Sequence, residues 1–320
     1  MKKLVLSIAA LAVSATAALA ADLPYQKGPP VLPPPPPPPP LWTGFYVGLN
    51  AGGAWSNSNA INVASVGFVD PTANAINLFP LPASVAAGAA TSGVLSSSQG
   101  GFIGGGQIGY NYQFYNNFVV GIEADIQGVA GSSSRANSVA AVDALSVVGF
   151  PGNFVQSTIS VSKNLDYIGT VRGRLGWLAT PTLLVYGTGG FAYGGATSNT
   201  SIFGVNAGVN LGLCCGNPAF ASGGAFSDTL TGWTAGGGVE WMFMPNWSAK
   251  AEYLYYDLGN VSYSASGATP IAQAPGVIPA GTPLYTLATR VQTHFSGNIV
   301  RAGVNYHFNW GAPAPVVAKY

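Results

Sequence analysis

From Leu41 onward the chain switches repeatedly between two textures of apolar and polar positions. In one texture, runs of about ten residues rich in Gly, aromatic and β-branched side chains alternate apolar with small or polar residues at a period of two. In the other, long stretches are dominated by Ser, Ala and Asn. A period of two puts successive side chains on opposite faces of a strand. It predicts eight strands over 44–56, 100–114, 118–128, 165–178, 183–194, 231–243, 247–258 and 295–308. Three connections are short and turn-like: Tyr115-Asn116-Asn117, the stretch around Thr180-Pro181, and Met244-Pro245-Asn246. Four are long, over 57–99, 129–164, 195–230 and 259–294, and read as exposed, mobile loops. Short and long alternate strictly. The pattern predicts an all-β fold: an eight-stranded antiparallel up-and-down transmembrane β-barrel, with short periplasmic turns and long extracellular loops.

Charged side chains fall on one parity of these strands. Glu123 and Asp125 share a face with Gln127, away from Phe118, Val120, Ile122 and Ile126. Asp166, Arg172 and Arg174 oppose Leu165, Tyr167, Val171, Leu175 and Trp177. Lys250 and Glu252 oppose Trp247, Ala249, Ala251, Tyr253 and Tyr255. Glu240 faces away from Trp233, Val239, Trp241 and Phe243, and Arg301 and His307 away from Val300, Val304, Tyr306 and Phe308. A charge facing lipid at mid-bilayer costs about 2–4 kcal/mol. The charged face is therefore the lumen, and Glu123, Asp125, Asp166, Arg172, Arg174, Glu240, Lys250, Glu252, Arg301 and His307 form an expected interior ionic cluster. Asp257 breaks the parity, at the point where its strand leaves the membrane. The set reads as a static plug; a narrow polar path for small solutes is the alternative.

The apolar face carries rings at the strand ends. Phe45 and Trp55 are ten residues apart, as are Tyr167 and Trp177. On a tilted strand ten residues climb about 25 Å, the height of an outer-membrane apolar band. Tyr110, Tyr112, Phe191, Tyr193, Trp233, Trp241, Phe243, Trp247, Tyr253, Tyr255, Tyr306 and Phe308 join them as two expected interfacial girdles. A soluble β-sandwich would bury such faces too, but it has no need of aromatic belts.

Composition narrows the choice. Only 7% of residues are charged, 44 are Gly, and mean hydropathy is +0.32. Yet beyond the first residues no run is apolar over the ~18 positions a spanning helix needs. An apolar, glycine-rich chain without such helices fits a closed barrel. Lys2 and Lys3, the apolar run Leu4 to Ala18 and the Ala18-Leu19-Ala20 site read as an export signal cleaved after Ala20. Of eleven basic residues, losing Lys2 and Lys3 leaves nine against ten acidic ones, so no nucleic-acid partner is expected. The run Pro33 to Pro40 predicts a stiff polyproline spacer within 21–41. Cys214 and Cys215 are adjacent and read as a loop pair without chemistry. The two histidines, His294 and His307, lie far from the cysteines, and neither a metal nor a cofactor is expected.

Gly104, Gly106 and Gly109 spell G-x-G-x-x-G, the dinucleotide fingerprint. That motif needs a strand, then a helix opening at the glycines. Here Phe102, Ile108, Tyr110 and Tyr112 hold period two straight through it, and Gly105 and Gly109 fall on the inward face with Ile103, Gln107 and Asn111. The glycines are expected to serve a crowded, curved wall.

The strand motifs WTGFYVGLNAG, GFIGGGQIGYNYQ, VVGIEADIQG, LDYIGTVRGRLGW, LLVYGTGGFAYG, TGWTAGGGVEWMF, NWSAKAEYLYYDLG and NIVRAGVNYHFN resemble the porin-family outer-membrane immunogenic proteins of Gram-negative bacteria. The resemblance covers all eight strands and none of the loops. It implies a barrel in the outer membrane, in contact with its lipid and lipopolysaccharide and inserted by the barrel assembly machinery. It also implies a structural, envelope-integrity role, with porin-like or haem-binding behaviour credited to some members. The family defines no catalytic residues, so none carry over and no enzyme is expected. Two departures are the length of the proline run and residues 309–320, which extend past Phe308. Three functions follow: a structural surface barrel, a small porin, or a lipid-modifying enzyme. The third would need a Ser–His pair, for which only Ser296 near His294 offers material.

Overall fold

A computed structural model describes residues 42–69, 80–115, 117–131, 133–143, 153–208, 217–273 and 280–308, the side chains of 80–82 excepted. The leader, the proline run, Cys214, Cys215 and the extension 309–320 lie outside the described residues.

The described chain forms β1 (Gly44–Ser56), β2 (Ala60–Phe68), α1 (Pro80–Ala90), β3 (Gly93–Ser96), β4 (Gly100–Phe114), β5 (Phe118–Ala130) and β6 (Ser134–Asp143). These are followed by β7 (Asn153–Thr180), β8 (Leu183–Gly208), β9 (Ala219–Met244), β10 (Trp247–Ala268) and β11 (Thr286–Phe308). Eight of the strands close a ring in the order β1-β4-β5-β7-β8-β9-β10-β11, and β11 pairs back onto β1. The closing ladder runs antiparallel from Phe45↔Phe308 to Ser56↔Gly297. Ring closure leaves these strands no open edge within the apolar band, so their backbone hydrogen bonds are made between neighbours rather than with water.

Around the lower part of the ring the outer wall is apolar: Leu49 is 75% exposed, Leu175 64% and Ile122 56%. The rings named above lie on this wall. Phe45, Tyr110, Trp177, Trp241, Trp247 and Phe308 cluster toward the short turns, and Trp55, Tyr167, Tyr193, Trp233 and Tyr255 toward the other end. Phe45 meets Tyr110 edge-on at 4.8 Å, and Trp247 meets Tyr306 at 5.2 Å.

The long connections depart from the expectation. They are largely strand and helix. β7 has 28 residues, β8 and β9 have 26 each, and their added halves continue past the apolar band as a second storey. β6 lies beside β7, while β2 and then β3 follow β11 on the far side. Inside, Val155, Ile159, Val161, Ile202 and Val291 pack with Ile61, Val63 and the Ala83, Ala87 and Ala90 face of α1. Outside, Asn62, Gln156, Thr158, Ser201 and Gln292 are exposed. The interior thus changes between storeys, charged below and apolar above, and the outer wall changes from apolar to mixed, with Val66, Phe68, Val139, Phe154 and Phe203 exposed among the polar residues. Hydrocarbon surrounds the first and water the second, and each wall matches its solvent.

Two β-bulges mark the boundary, between Leu165 and Tyr167 in β7 and between Asp257 and Asn260 in β10. Each inserts a residue and shifts parity. Gly259 takes a φ of 84°, and its N–H donates to Asp257 Oδ1 at 2.9 Å. At the same level Lys163 is buried with its ammonium 4.3 Å from the Phe295 ring centre, donating to the backbone carbonyls of Ser58 (3.1 Å) and His294. Burial pushes its pKa down to about 8.

Two outcomes are expected. Leu49→Arg, in the middle of the lipid-facing wall, costs about 2–4 kcal/mol in denaturant unfolding from bilayers, whereas Thr158→Arg on the upper wall stays within about 0.5 kcal/mol. For Lys163 the folded state releases its proton near pH 8 and the unfolded state only near the usual lysine value of about 10.4. Between these the unfolded state binds more protons, so stability rises with pH. Unfolding midpoints measured across pH 7.5 to 10 rise for the wild type, and Lys163→Met flattens that rise.

Candidate functional site

Below the boundary, charged side chains from β5, β7, β9, β10 and β11 converge in the lumen, joined by Tyr46 of β1. The register explains the convergence. Glu123 on β5 stands level with Arg172 on β7, Lys250 on β10 with Glu240 on β9, and Glu252 on β10 with Arg301 on β11. Between them sit glycines on the inward parity, opposite the large residues. A Cβ on Gly190 would lie 2.7 Å from the Arg172 Cα, and one on Gly109 would lie 2.4 Å from the Tyr46 hydroxyl. Missing side chains on one strand thus leave room for the ring or the backbone of the next.

Glu123 is the hub. Its carboxylate accepts from Arg172 Nη2 at 2.5 Å, Lys250 Nζ at 2.8 Å and Tyr46 OH at 2.6 Å, with Arg174 Nη1 at 3.4 Å. Asp125 accepts from Arg172 Nη2 at 2.8 Å, Arg301 Nη2 at 2.9 Å and Thr170 Oγ1 at 2.8 Å. Glu252 accepts from Arg172 Nη1 at 2.8 Å and from Arg301 Nη2 at 2.6 Å. Glu240 accepts from Arg174 Nη2 at 2.6 Å, Ser248 Oγ at 2.6 Å and Asn305 Nδ2 at 2.7 Å, and His307 Nε2 stands 3.4 Å away. These acids and their arginine and lysine partners are all at most 5% exposed.

Asp166 is not in this cluster. The bulge in β7 puts it on the outer surface, where Asn164 Nδ2 donates to it, and turns Leu165 inward. Its removal leaves four carboxylates against Arg172, Arg174, Lys250 and Arg301, a neutral set apart from His307. Neutrality is what burial demands, since a charge without a partner in low dielectric is strongly destabilising.

Apolar layers lie above and below. Toward the short turns, Val119, Leu178, Leu184 and Met242 pack with Trp42. The Trp42 indole donates Nε1–H to the Pro181 carbonyl at 3.0 Å and lies edge-on to His307 at 5.7 Å. Toward the boundary, Ile103, Leu165, Ile168, Leu254, Phe295 and Ile299 close the lumen. Trp42, Tyr46, Tyr186 and Lys163 are also interior, beyond the residues that charge and parity single out. Tyr46 was accessible to parity, being one step from outward Phe45, and Tyr186 likewise follows Val185. Trp42 precedes its strand and carries no periodic signal.

The G-x-G-x-x-G stretch lies inside the single strand β4, with no helix at its glycines. His294 Nδ1 is 3.0 Å from Asn260 Oδ1, and its Nε2 is 3.4 Å from Asp257 Oδ1, so both ring nitrogens engage groups other than Ser296. Among the described residues no group of three metal-ligating side chains is gathered in one place.

The family model for the outer membrane protein beta-barrel domain matches residues 5–308. The 31 kDa outer-membrane immunogenic protein of Brucella melitensis is 36% identical over 261 residues, covering 81% of this chain and 88% of that protein. The same protein of Brucella suis matches equally. Among solved structures, the outer membrane protein OprG of Pseudomonas aeruginosa aligns over 83% of this chain and 97% of its own, with a TM-score of 0.31 and 10% identity.

Arg172 contacts three carboxylates, so removing it orphans buried charge. Arg172→Ala is expected to lower the unfolding free energy by about 3 kcal/mol, read from denaturant unfolding in bilayers or micelles. An unchanged midpoint would remove the cluster as a source of stability.

Proposed function

Because the chain belongs to the outer membrane protein beta-barrel domain family, we propose that it is a structural surface barrel whose lumen is closed to solutes. The single observation that carries this reading is the stacking along the lumen. A charge-balanced layer, in which every carboxylate is ion-paired, lies between two apolar layers, with a third apolar core in the storey above. An ion crossing it would have to displace Glu123 or Arg172 from several partners at once and then pass Ile103, Leu254 and Ile299 without water. Eight strands leave an interior only wide enough for side chains. The work left to such a barrel is mechanical and presentational. It anchors the upper storey firmly at the cell surface, and the charge pairs and closed ladder resist its unfolding. It performs no catalysis in this reading.

The test uses the purified full chain. Heat-modifiable migration on a gel reports the closed barrel, and planar-bilayer recording of the same sample reports the lumen. The expected result is a compact, heat-modifiable band with no reproducible conductance steps. Steady single-channel steps that change in Arg172→Ala would overturn the closed lumen in favour of a small porin.

A further inference from the structure

On the outer wall, where β2, β10 and β11 meet just past the boundary, lies a polar groove of about 340 Å³. Ser58, Asn62, Asn260, Ser262, Gln292 and His294 line it. Arg290 reaches it by donating Nε–H to Ser262 Oγ at 2.7 Å. His294 is held in place from both sides, by Asn260 and Asp257. The wall is irregular here for a reason. The chain leaves the ring after β1 and rejoins the same side of β11 as β2, so residues 57–59 bend past Ser296 instead of continuing a ladder.

The groove has a buried cation behind it. The Lys163 ammonium donates to the carbonyls of Ser58 and His294, two residues of the groove lining. No carboxylate among the described residues lies within ion-pair distance of it. Lys163 and Arg290 therefore outnumber Asp257 even with His294 neutral, and the groove is net positive. Apart from Ala60 and Val261, the other lining groups are amides and hydroxyls, which exchange hydrogen bonds with sugar hydroxyls as readily as with water.

Height selects the ligand. Asn298 on β11 is level with the girdle residues Trp55 and Tyr255, and His294 is four residues further out. At about 2.5 Å of climb per residue on a tilted strand, the groove stands about 10 Å beyond the girdle, in the headgroup layer. We propose that this groove binds the headgroup of an outer-leaflet glycolipid, a phosphorylated saccharide, with Arg290 meeting the phosphate and Asn62, Asn260 and Gln292 the sugar. The inference rests on the outer-membrane placement of the barrel. It assigns the wall a specific lipid contact in addition to its apolar belt.

The experiment titrates purified full-length protein in neutral detergent with lipid A, an acylated phosphorylated glucosamine disaccharide. Bound lipid is counted by native mass spectrometry. Parallel arms use dephosphorylated lipid A, phosphatidylglycerol and inorganic phosphate as a competitor. Saturable binding of lipid A is expected. It weakens at least about tenfold in Arg290→Gln and in the dephosphorylated arm, the scale of one lost charged hydrogen bond. It is unchanged in Arg135→Gln, an exposed arginine on β6 outside the groove lining. Equal binding by Arg290→Gln, equal binding of phosphatidylglycerol, or full competition by millimolar phosphate would each overturn the assignment. Heat-modifiable migration of the same sample separates the two failures. A shifting band with no lipid A binding removes the groove and leaves the barrel.

Discussion

The backbone of a membrane-crossing strand has no water to bond with, and that single constraint organises this molecule. The ladder from Phe45↔Phe308 to Ser56↔Gly297 closes the sheet on itself. Once it is closed, each strand has one face toward lipid and one toward a lumen too narrow to hold much besides side chains. Everything else answers to that division. Leu49, Ile122 and Leu175 face outward because hydrocarbon accepts them, and Glu123, Arg172 and Arg301 face inward because it does not.

The inward charges then create a second constraint. A buried carboxylate or guanidinium must find partners, and in this lumen each has several. Glu123 is shared by Arg172, Arg174 and Lys250, and Arg301 joins Asp125 to Glu252. The glycines are part of the same solution. Gly109 makes room for the Tyr46 ring whose hydroxyl bonds Glu123, and Gly190 for the backbone of Val171 and Arg172. A glycine fingerprint that in a βα turn would cradle phosphate serves here as space in a crowded wall.

Where the membrane ends, the same strands continue under the opposite rule. The upper storey wraps the sheet from β6 through β7 and β11 to β3 around an apolar core, with Val155, Ile159 and Val291 inside against an alanine-faced helix. The transition is abrupt. Bulges at Asp166 and Gly259 switch parity in β7 and β10, and Lys163 occupies the neck between the two cores. Around this neck lie the irregular passage of 57–59 and the polar groove of the outer wall.

The sequence by itself determined the eight membrane strands, their turns and the face each presents, because lipid penalises a misplaced charge at every second residue and so writes the pattern locally. It determined the charged residues of the ionic layer but placed Asp166 among them, and it did not place Lys163 inside. The bulge that expels Asp166 depends on how β7 meets β8, and K-N-L-D carries no mark of it. It did not disclose the upper storey. There the alternation of V-Q-S-T-I-S-V is inverted and written in small residues, and the helix Pro80–Ala90 has alanines where an apolar stripe would be expected. Only tertiary structure decided which charges pair and how the lumen is layered. Those depend on strand register across the ring, where residues more than a hundred positions apart, such as Glu123 and Lys250, come within a hydrogen bond's length.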